Sequence, residues 1–207
     1  MSGSYHIEHT IRHANSWQPF SDVTNQAGVI GAVELACAGI NDELHVCAIA
    51  NAHLYHTIRH ANSWQAFGDV EAQANDIGNI SDVACAAVNG ELNVCAIAGG
   101  HLYHTIRHAN SWQAFGDVET QANDIGNISD VACAAVNGEL HVCAIIQIQN
   151  GWSYCTWHTI RHANSWQAFG NVTKEASYDE KYSGRHVACA NVKNELHVCV
   201  IDEIITT

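Results

Sequence analysis

The chain has 207 residues, enough for one substantial core or two small ones and too many for a stapled mini-domain. Eight Lys and Arg against 21 Asp and Glu give a formal net charge of −13, which repels phosphate backbones and anionic membrane surfaces, so no nucleic acid partner is expected. Charged residues make up only 14%, below the roughly 25% usual for soluble domains, and no apolar stretch nears the roughly 20 residues of a membrane span, so no membrane insertion is expected.

The first 20 residues carry His6, His9 and His13 with Glu8 and Arg12 and no apolar run of the secretory kind. The chain as written therefore reads as cytoplasmic, release without a signal peptide being the other reading. Within this stretch begins a block, His-Thr-Ile-Arg-His-Ala-Asn-Ser-Trp-Gln, that occurs at residues 9–18, 56–65, 104–113 and 158–167 without one substitution. A second block, Ala-Cys-Ala followed by Glu-Leu-x-Val-Cys, occurs at 36–47, 84–95, 132–143 and 188–199. Periods of 40 to 50 residues belong to propeller blades or to helical arrays. Local periodicity favours strands, and helix formers at 3.6-residue spacing are missing throughout.

The unit is clearest from residue 83. Runs at 83–88 and 92–97 flank Asn89-Gly90, the strongest short-range signal for a tight hairpin with positive φ at both turn residues. Asn137-Gly138 repeats it, and Asn41-Asp42 and Lys193-Asn194 take its place in the outer copies. Gly99-Gly100 leads into a third run at 101–108, and Ala109-Asn110-Ser111 turns it into a fourth at 112–118. Four strands per unit define a propeller blade.

The chain opens on a third and fourth strand (6–13, 17–23) and ends on a first and second (187–192, 196–201). The predicted fold is thus a single all-β domain over residues 1–207, a four-bladed β-propeller of four-stranded antiparallel blades. Its blades span about 35–70, 83–118 and 131–172, and residues 1–23 with 187–207 form a composite blade that closes the ring. A larger ring in which two chains share half blades is the alternative, so a homo-oligomer is left open. Blade three departs from the others through a longer segment, 147–157, with Trp152, Tyr154, Cys155 and Trp157.

Leu92-Asn93-Val94, Leu102-Tyr103-His104 and Ser111-Trp112-Gln113-Ala114-Phe115 resemble the blades of the tachylectin-like and PLL-like β-propeller lectins over the whole chain. Those families generally have five or more blades, whereas four are counted here. In blade count alone the chain resembles hemopexin-like domains, whose motifs are missing. The lectin resemblance implies non-catalytic sugar binding at one site per blade or blade interface, with glycans or glycoconjugates as partners and affinity raised by multivalency.

The invariant block supplies side chains suited to a polar ligand. Arg12, Arg59, Arg107 and Arg161 offer planar forks of donors, and Trp17, Trp64, Trp112 and Trp166 offer apolar faces with an N–H donor. Asn15, Asn62, Asn110 and Asn164 supply donor and acceptor together, and His13, His60, His108 and His162 complete the candidate ligand-binding set. A structural reading stands beside this one: the Trp packs blades, the Asn makes the turn, and the Arg pairs with Asp22, Asp69 or Asp117.

Fifteen histidines raise a metal or haem ring as a third reading. His56 and His60, four residues apart on a strand, stand about 13 Å apart along one face, too far to share one zinc. His45, His141 and His197 form a possible ring that Asn93 interrupts. No metal and no cofactor are assigned, and acidification is expected to charge up to fifteen histidines. Cysteines recur as Cys37/Cys47, Cys85/Cys95, Cys133/Cys143 and Cys189/Cys199, with Cys155 outside the pattern. They read as small buried hydrophobes where blades crowd together. No nucleophile elbow, phosphate loop or His-Glu-x-x-His occurs, and the carboxylates do not repeat as a facing pair, so no enzyme is expected. The rival to the lectin is a structural or protein-interaction propeller whose near-identical blades record gene amplification or deliberate construction.

Overall fold

The structure is a computed structural model that describes residues 5–28, 31–148, 153–177 and 185–201. Three sheets of the same plan lie in sequence. The first joins β5 (Glu34–Ile40), β6 (Glu43–Ala50), β7 (His53–His60), β8 (Ser63–Trp64) and β9 (Gly68–Asp69). The second joins β10 (Ile80–Val88), β11 (Glu91–Ala98), β12 (His101–His108), β13 (Ser111–Trp112) and β14 (Gly116–Asp117). The third joins β15 (Ile128–Val136), β16 (Glu139–Ile148), β17 (Ser153–His162), β18 (Ser165–Trp166) and β19 (Gly170–Asn171). All pairings are antiparallel, in register Leu44↔Arg59, Leu92↔Arg107 and Leu140↔Arg161 between each second and third strand.

The hairpin turns take the backbone that their residues favour. Asn89 (φ 51°) and Gly90 (φ 83°), Asn137 (53°) and Gly138 (80°), Asn41 (48°) and Asp42 (67°), and Lys193 (54°) and Asn194 (66°) all lie in the left-handed region. Two positive φ values in sequence are what the right-handed twist of the flanking strands demands of a two-residue loop.

The fourth strand is not the continuous run at 112–118 that the sequence suggested. It is two two-residue pieces, both paired with the third strand, because the intervening backbone turns to the preceding blade: the Phe115 N–H donates to the Ala74 carbonyl at 2.7 Å. Phe67 to Ala27 and Phe169 to Ala122, both 2.8 Å, repeat this link. Ala74 and Ala122 end short helices, α2 (Glu71–Ala74) and α3 (Glu119–Ala122), and α1 (Val23–Ala27) and α4 (Val172–Glu175) complete the set. The all-strand reading missed these helices, since four or five residues are too few to show a 3.6-residue period.

Inner strands β5, β10 and β15 pack in sequence, followed by β20 (His186–Val192), which pairs with β21 (Glu195–Ile201). At these seams β10 and β15 each carry a bulge, between Ile80 and Asp82 and between Ile128 and Asp130. The bulge frees the carboxylate to reach sideways. Asp82 accepts from the Val131 N–H of the next blade at 2.9 Å, and Asp130 from that of Val187 at 2.6 Å. The core runs between the blades, with Leu54, Val70, Ala74, Val94 and Ala96 in one layer and Leu102, Val118, Ala122, Val142 and Ala144 in the next.

The N-terminal strands β1 (Glu8–His9), β2 (Arg12–His13), β3 (Ser16–Trp17) and β4 (Ser21–Asp22) pair only among themselves, and β21 pairs only with β20. The pairing of β21 with residues 6–13 that would close a four-bladed ring within the chain is not found among the described residues. Part of the segment 147–157 singled out in the sequence lies outside the described residues.

Candidate functional site between blades

The invariant block is assembled by its register. Arg107 stands opposite Trp112 and His108 opposite Ser111, and the same pairs recur as Arg12/Trp17, Arg59/Trp64 and Arg161/Trp166. The Arg107 guanidinium lies 5.9 Å from the Trp112 ring centroid, and that of Arg161 lies 5.7 Å from Trp166. In these two blades Arg and Trp are thus one stacked unit.

Three of the four Trp also lean on the blade before them. His9 meets Trp64 edge-on with centroids 5.3 Å apart, and His56 with Trp112 and His104 with Trp166 repeat this at 5.2 Å. Trp64, Trp112 and Trp166 are half-buried in these contacts, so the packing role is real and leaves part of each ring open. Trp17 has no such contact among the described residues and is 65% exposed.

A cavity of about 200 Å³ opens where the two blades meet, lined by His56, Gln65, Gly68, Asp69, Gln73, Arg107, Asn110 and Trp112. Three of the four predicted residue types therefore converge from one blade. The facing residues, His56, Gln65, Asp69 and Gln73, come from the preceding blade and were not among the ligand-binding candidates read from the sequence. They are contributed across the seam, which no spacing within one repeat reveals. Arg107 donates through Nη1 to the His108 carbonyl at 3.3 Å, and its Nε is buried with no hydrogen-bond partner. A buried donor of this kind is costly unless an acceptor reaches it. Burial also lowers the Arg107 and Arg161 pKa values.

On the other side of the same arginines lie clefts at the hairpin turns. One of about 220 Å³ includes Asn41, Glu43, His45, Arg107 and His108, one of about 110 Å³ includes Asn89, Glu91, Asn93, Arg161 and His162, and a wider one includes His9, Asn41, Glu43 and Arg59. His60, His108 and His162 are held here by carboxylates: Nδ1 lies 2.5 Å from Glu43, 2.6 Å from Glu91 and 2.6 Å from Glu139 respectively. His13 lies 2.7 Å from the Gln18 amide. Asn15, Asn62 and Asn164 are exposed turn residues, like Asn110.

The first histidine of each block sits inward. His56 Nε2 lies 3.0 Å from His45 Nδ1, His158 Nε2 lies 3.0 Å from His141 Nδ1, and His104 Nε2 lies 3.0 Å from the Asn93 side-chain oxygen. Burial pushes His56 and His104 down to about 3 and His158 to about 4. The expectation that up to fifteen histidines charge on acidification is corrected accordingly, because these three stay neutral at pH 5 and His9, His45 and His141 are also lowered by burial. Among the described residues no group of three or more His, Cys, Asp and Glu side chains is arranged to hold a metal ion.

The cysteines repeat at the seams as well. Cys37 and Cys47 are diagonal rather than opposite, since Cys47 faces Ala36. Their thiols reach across blades instead: Cys47 hydrogen-bonds Cys85, Cys133 hydrogen-bonds Cys95, and Cys143 hydrogen-bonds Cys189. The Cys85 contact and burial push the Cys47 thiol well up, and Cys133 and Cys143 are raised in the same way, which makes these three unreactive at neutral pH, whereas the Cys143 contact lowers Cys189. No helix of the described residues is long and apolar enough to cross a membrane.

No protein-family model and no curated protein matches the chain. Among solved structures it is similar to NanB sialidase from Streptococcus pneumoniae (K499G mutant), with a TM-score of 0.66 and 11% identity over 93% of this chain and 32% of that one. It is also similar to the α-L-arabinofuranosidase PaAbf62A from Podospora anserina in complex with cellotriose (TM-score 0.53, 10% identity, 82% of this chain and 64% of that one). A third is the Trypanosoma rangeli sialidase in complex with the inhibitor DANA (0.54, 11%, 96% and 36%). The chain spans about a third of the sialidases' length. At such identities the likeness is one of fold, and the fold these neighbours share is the β-propeller. The chain is an all-β protein built of propeller blades.

Proposed function

We propose that the chain is a carbohydrate-binding propeller, a non-catalytic lectin with one sugar site at each blade seam. The observation that carries this reading is the cavity where Arg107, Asn110 and Trp112 of one blade meet His56, Gln65 and Asp69 of the preceding one. Its volume of about 200 Å³ is below the ~300–1,000 Å³ of drug-sized sites and suits one monosaccharide unit. Trp112 supplies an apolar edge for a sugar C–H face. Arg107 supplies the buried Nε–H that lacks an acceptor, and the amides and Asp69 supply the donors and acceptors that hydroxyls need. The carbohydrate-directed neighbours support the class of ligand. Because they include enzymes, the non-catalytic part rests on the absence from the sequence of a facing, repeated carboxylate pair.

Repetition of the Arg/Trp unit makes the protein multivalent, which raises avidity by about 10²–10⁴ on a surface whose glycans can be spanned. The test is a glycan array on the purified chain with and without EDTA, beside the Arg59→Ala, Arg107→Ala double variant. Specific binding that is indifferent to EDTA and weakened about tenfold or more in the variant is expected, since a hydrogen bond to a charged group is worth about 1.5–3 kcal/mol. Silence across the array with the fold intact overturns the reading in favour of a protein-interaction scaffold.

A further inference from the structure

We infer that the open edge of β21 takes residues 7–13 of a second copy of this chain, so that two copies join head to tail into one ring of eight blade units. The register is written in the three complete blades. Leu44↔Arg59, Val46↔Thr57 and Cys47↔His56 recur as Leu92↔Arg107, Val94↔Thr105 and Cys95↔His104, and as Leu140↔Arg161, Val142↔Thr159 and Cys143↔His158. Leu196, Val198 and Cys199 carry the same residues on β21, and Arg12, Thr10 and His9 carry the matching ones at the N-terminal edge. Neither edge has its partner among the described residues. An unpaired strand edge is a template for another chain.

The side chains left open at the two edges complement one another in the same way. The pairs Glu43/His60, Glu91/His108 and Glu139/His162 predict Glu195/His13, and the Glu195 side chain is 80% exposed. His56/Trp112 and His104/Trp166 predict His158/Trp17. An apolar groove of about 200 Å³ runs between Thr156, Val172, Thr173 and Ala176 of the third blade and Val198 and Val200 of β21. In the complete seams the equivalent space is covered by Trp112 and Phe115, whose counterparts Trp17 and Phe20 are 65% and 70% exposed. The thiol contacts Cys47/Cys85, Cys95/Cys133 and Cys143/Cys189 likewise predict Cys199/Cys37, and these two are the cysteines classed as exposed.

The occupant is a second copy because the edge that complements β21 is the chain's own N-terminal one, and the two are not paired with each other among the described residues. The Phe link from blade to blade recurs at three successive steps, β15 packs on β20 at a fourth, and the N-terminal strands and β21 are not paired among the described residues. Two copies joined in this way carry eight blade units, within the 4–8 blades that propellers use. The junction also completes a binding cavity. Arg12, Asn15 and Trp17 of one copy meet His158, Gln167 and Asn171 of the other, as Arg107, Asn110 and Trp112 meet His56, Gln65 and Asp69.

Native mass spectrometry of the 207-residue chain is expected to give twice 22.5 kDa. A mixture of ¹⁴N- and ¹⁵N-labelled chains, treated with a short bismaleimide and digested, is expected to link Cys37 to Cys199 between one light and one heavy chain. Trp17→Asp, at a side chain exposed within the single chain, is expected to return the mass to 22.5 kDa with the circular dichroism unchanged. Any other mass for the unaltered chain overturns the inference, and so does a Cys37–Cys199 link confined to chains of one label. Retention of the doubled mass by the Trp17 variant overturns the junction. None of these readouts depends on sugar binding.

Discussion

At the scale of single residues, the polar block that repeats without substitution divides into side chains that build the blade and side chains that face a ligand. Thr57, Thr105 and Thr159 are buried and donate to the Gln65, Gln113 and Gln167 carbonyls at 2.5–2.6 Å, which ties the broken fourth strand to the third. Thr105→Val is expected to lower the melting temperature by about 2–4 °C, the effect of a hydrogen bond worth about 1 kcal/mol in a chain of this size, while Thr105→Ser retains most of it. Calorimetry checks both. The first histidine of each block makes stability depend on pH. His56 and His104 at about 3 and His158 at about 4 lie below the ordinary 6.5, so below pH 6.5 the unfolded chain binds protons that the folded one refuses. Their contribution is full above pH 6.5 and is lost as the pH falls towards 4. Asp82 acts in the opposite sense. Burial and the neighbouring Asp130 raise it to about 6 from 3.8, so its contribution is lost as the pH rises through that window. The large shifts, three histidines against one carboxylate, predict a melting temperature that declines from pH 6.5 to 4, and a flat or rising profile by differential scanning fluorimetry contradicts this assignment.

At the scale of elements, turn chemistry was fully legible and the helices were not. Asn-Gly specifies the first hairpin because both residues tolerate positive φ, and the outer copies keep the conformation with Asn, Asp and Lys. The second hairpin turn uses Gly99-Gly100 in one blade but Asn51-Ala52 in another, where Ala52 is held at φ 66°. Ala52→Gly relieves a left-handed alanine and is expected to stabilise the protein by about 1 kcal/mol, a rise in melting temperature of about 2–4 °C. Helices α1 to α4 arise from contacts rather than propensity. Leu54 and Leu102 donate their N–H groups to Glu71 and Glu119, and Ile7 and Thr156 donate to Thr24 and Thr173 at the matching positions. The same bond is made by a carboxylate in the middle copies and a hydroxyl in the outer ones, so the position diverged in identity and kept its function.

At the scale of the whole molecule, stability lies between neighbouring blades. The two seams between complete blades combine a thiol contact with an apolar layer and a His–Trp edge, so an inner blade is held on both faces and an outer strand on one. Hydrogen exchange is therefore expected to be slowest in β11 and β16, which lie in the middle of the buried layers, and fastest in β21, whose residues are mostly exposed. Amide exchange of β21 as slow as that of β11 in the dilute single chain contradicts this gradient. The two-copy ring predicts that β21 becomes protected as concentration rises, because the junction forms by mass action.

The sequence by itself determined the unit and its internal register, because a hairpin turn and alternating side chains are set by residues a few positions apart. The Arg, Trp and Asn of the site could be named for the same reason: they lie within ten residues of one another. The tertiary structure alone decided the other wall of the cavity, His56, Gln65 and Asp69, and the thiol contacts between Cys47 and Cys85. Partners from different repeats are brought together by the stacking of sheets, a step that no spacing along the chain encodes. It also left β21 and the N-terminal strands unpaired with one another among the described residues, since the placing of one blade on the next depends on how side chains of two sheets interlock rather than on which residues each strand contains.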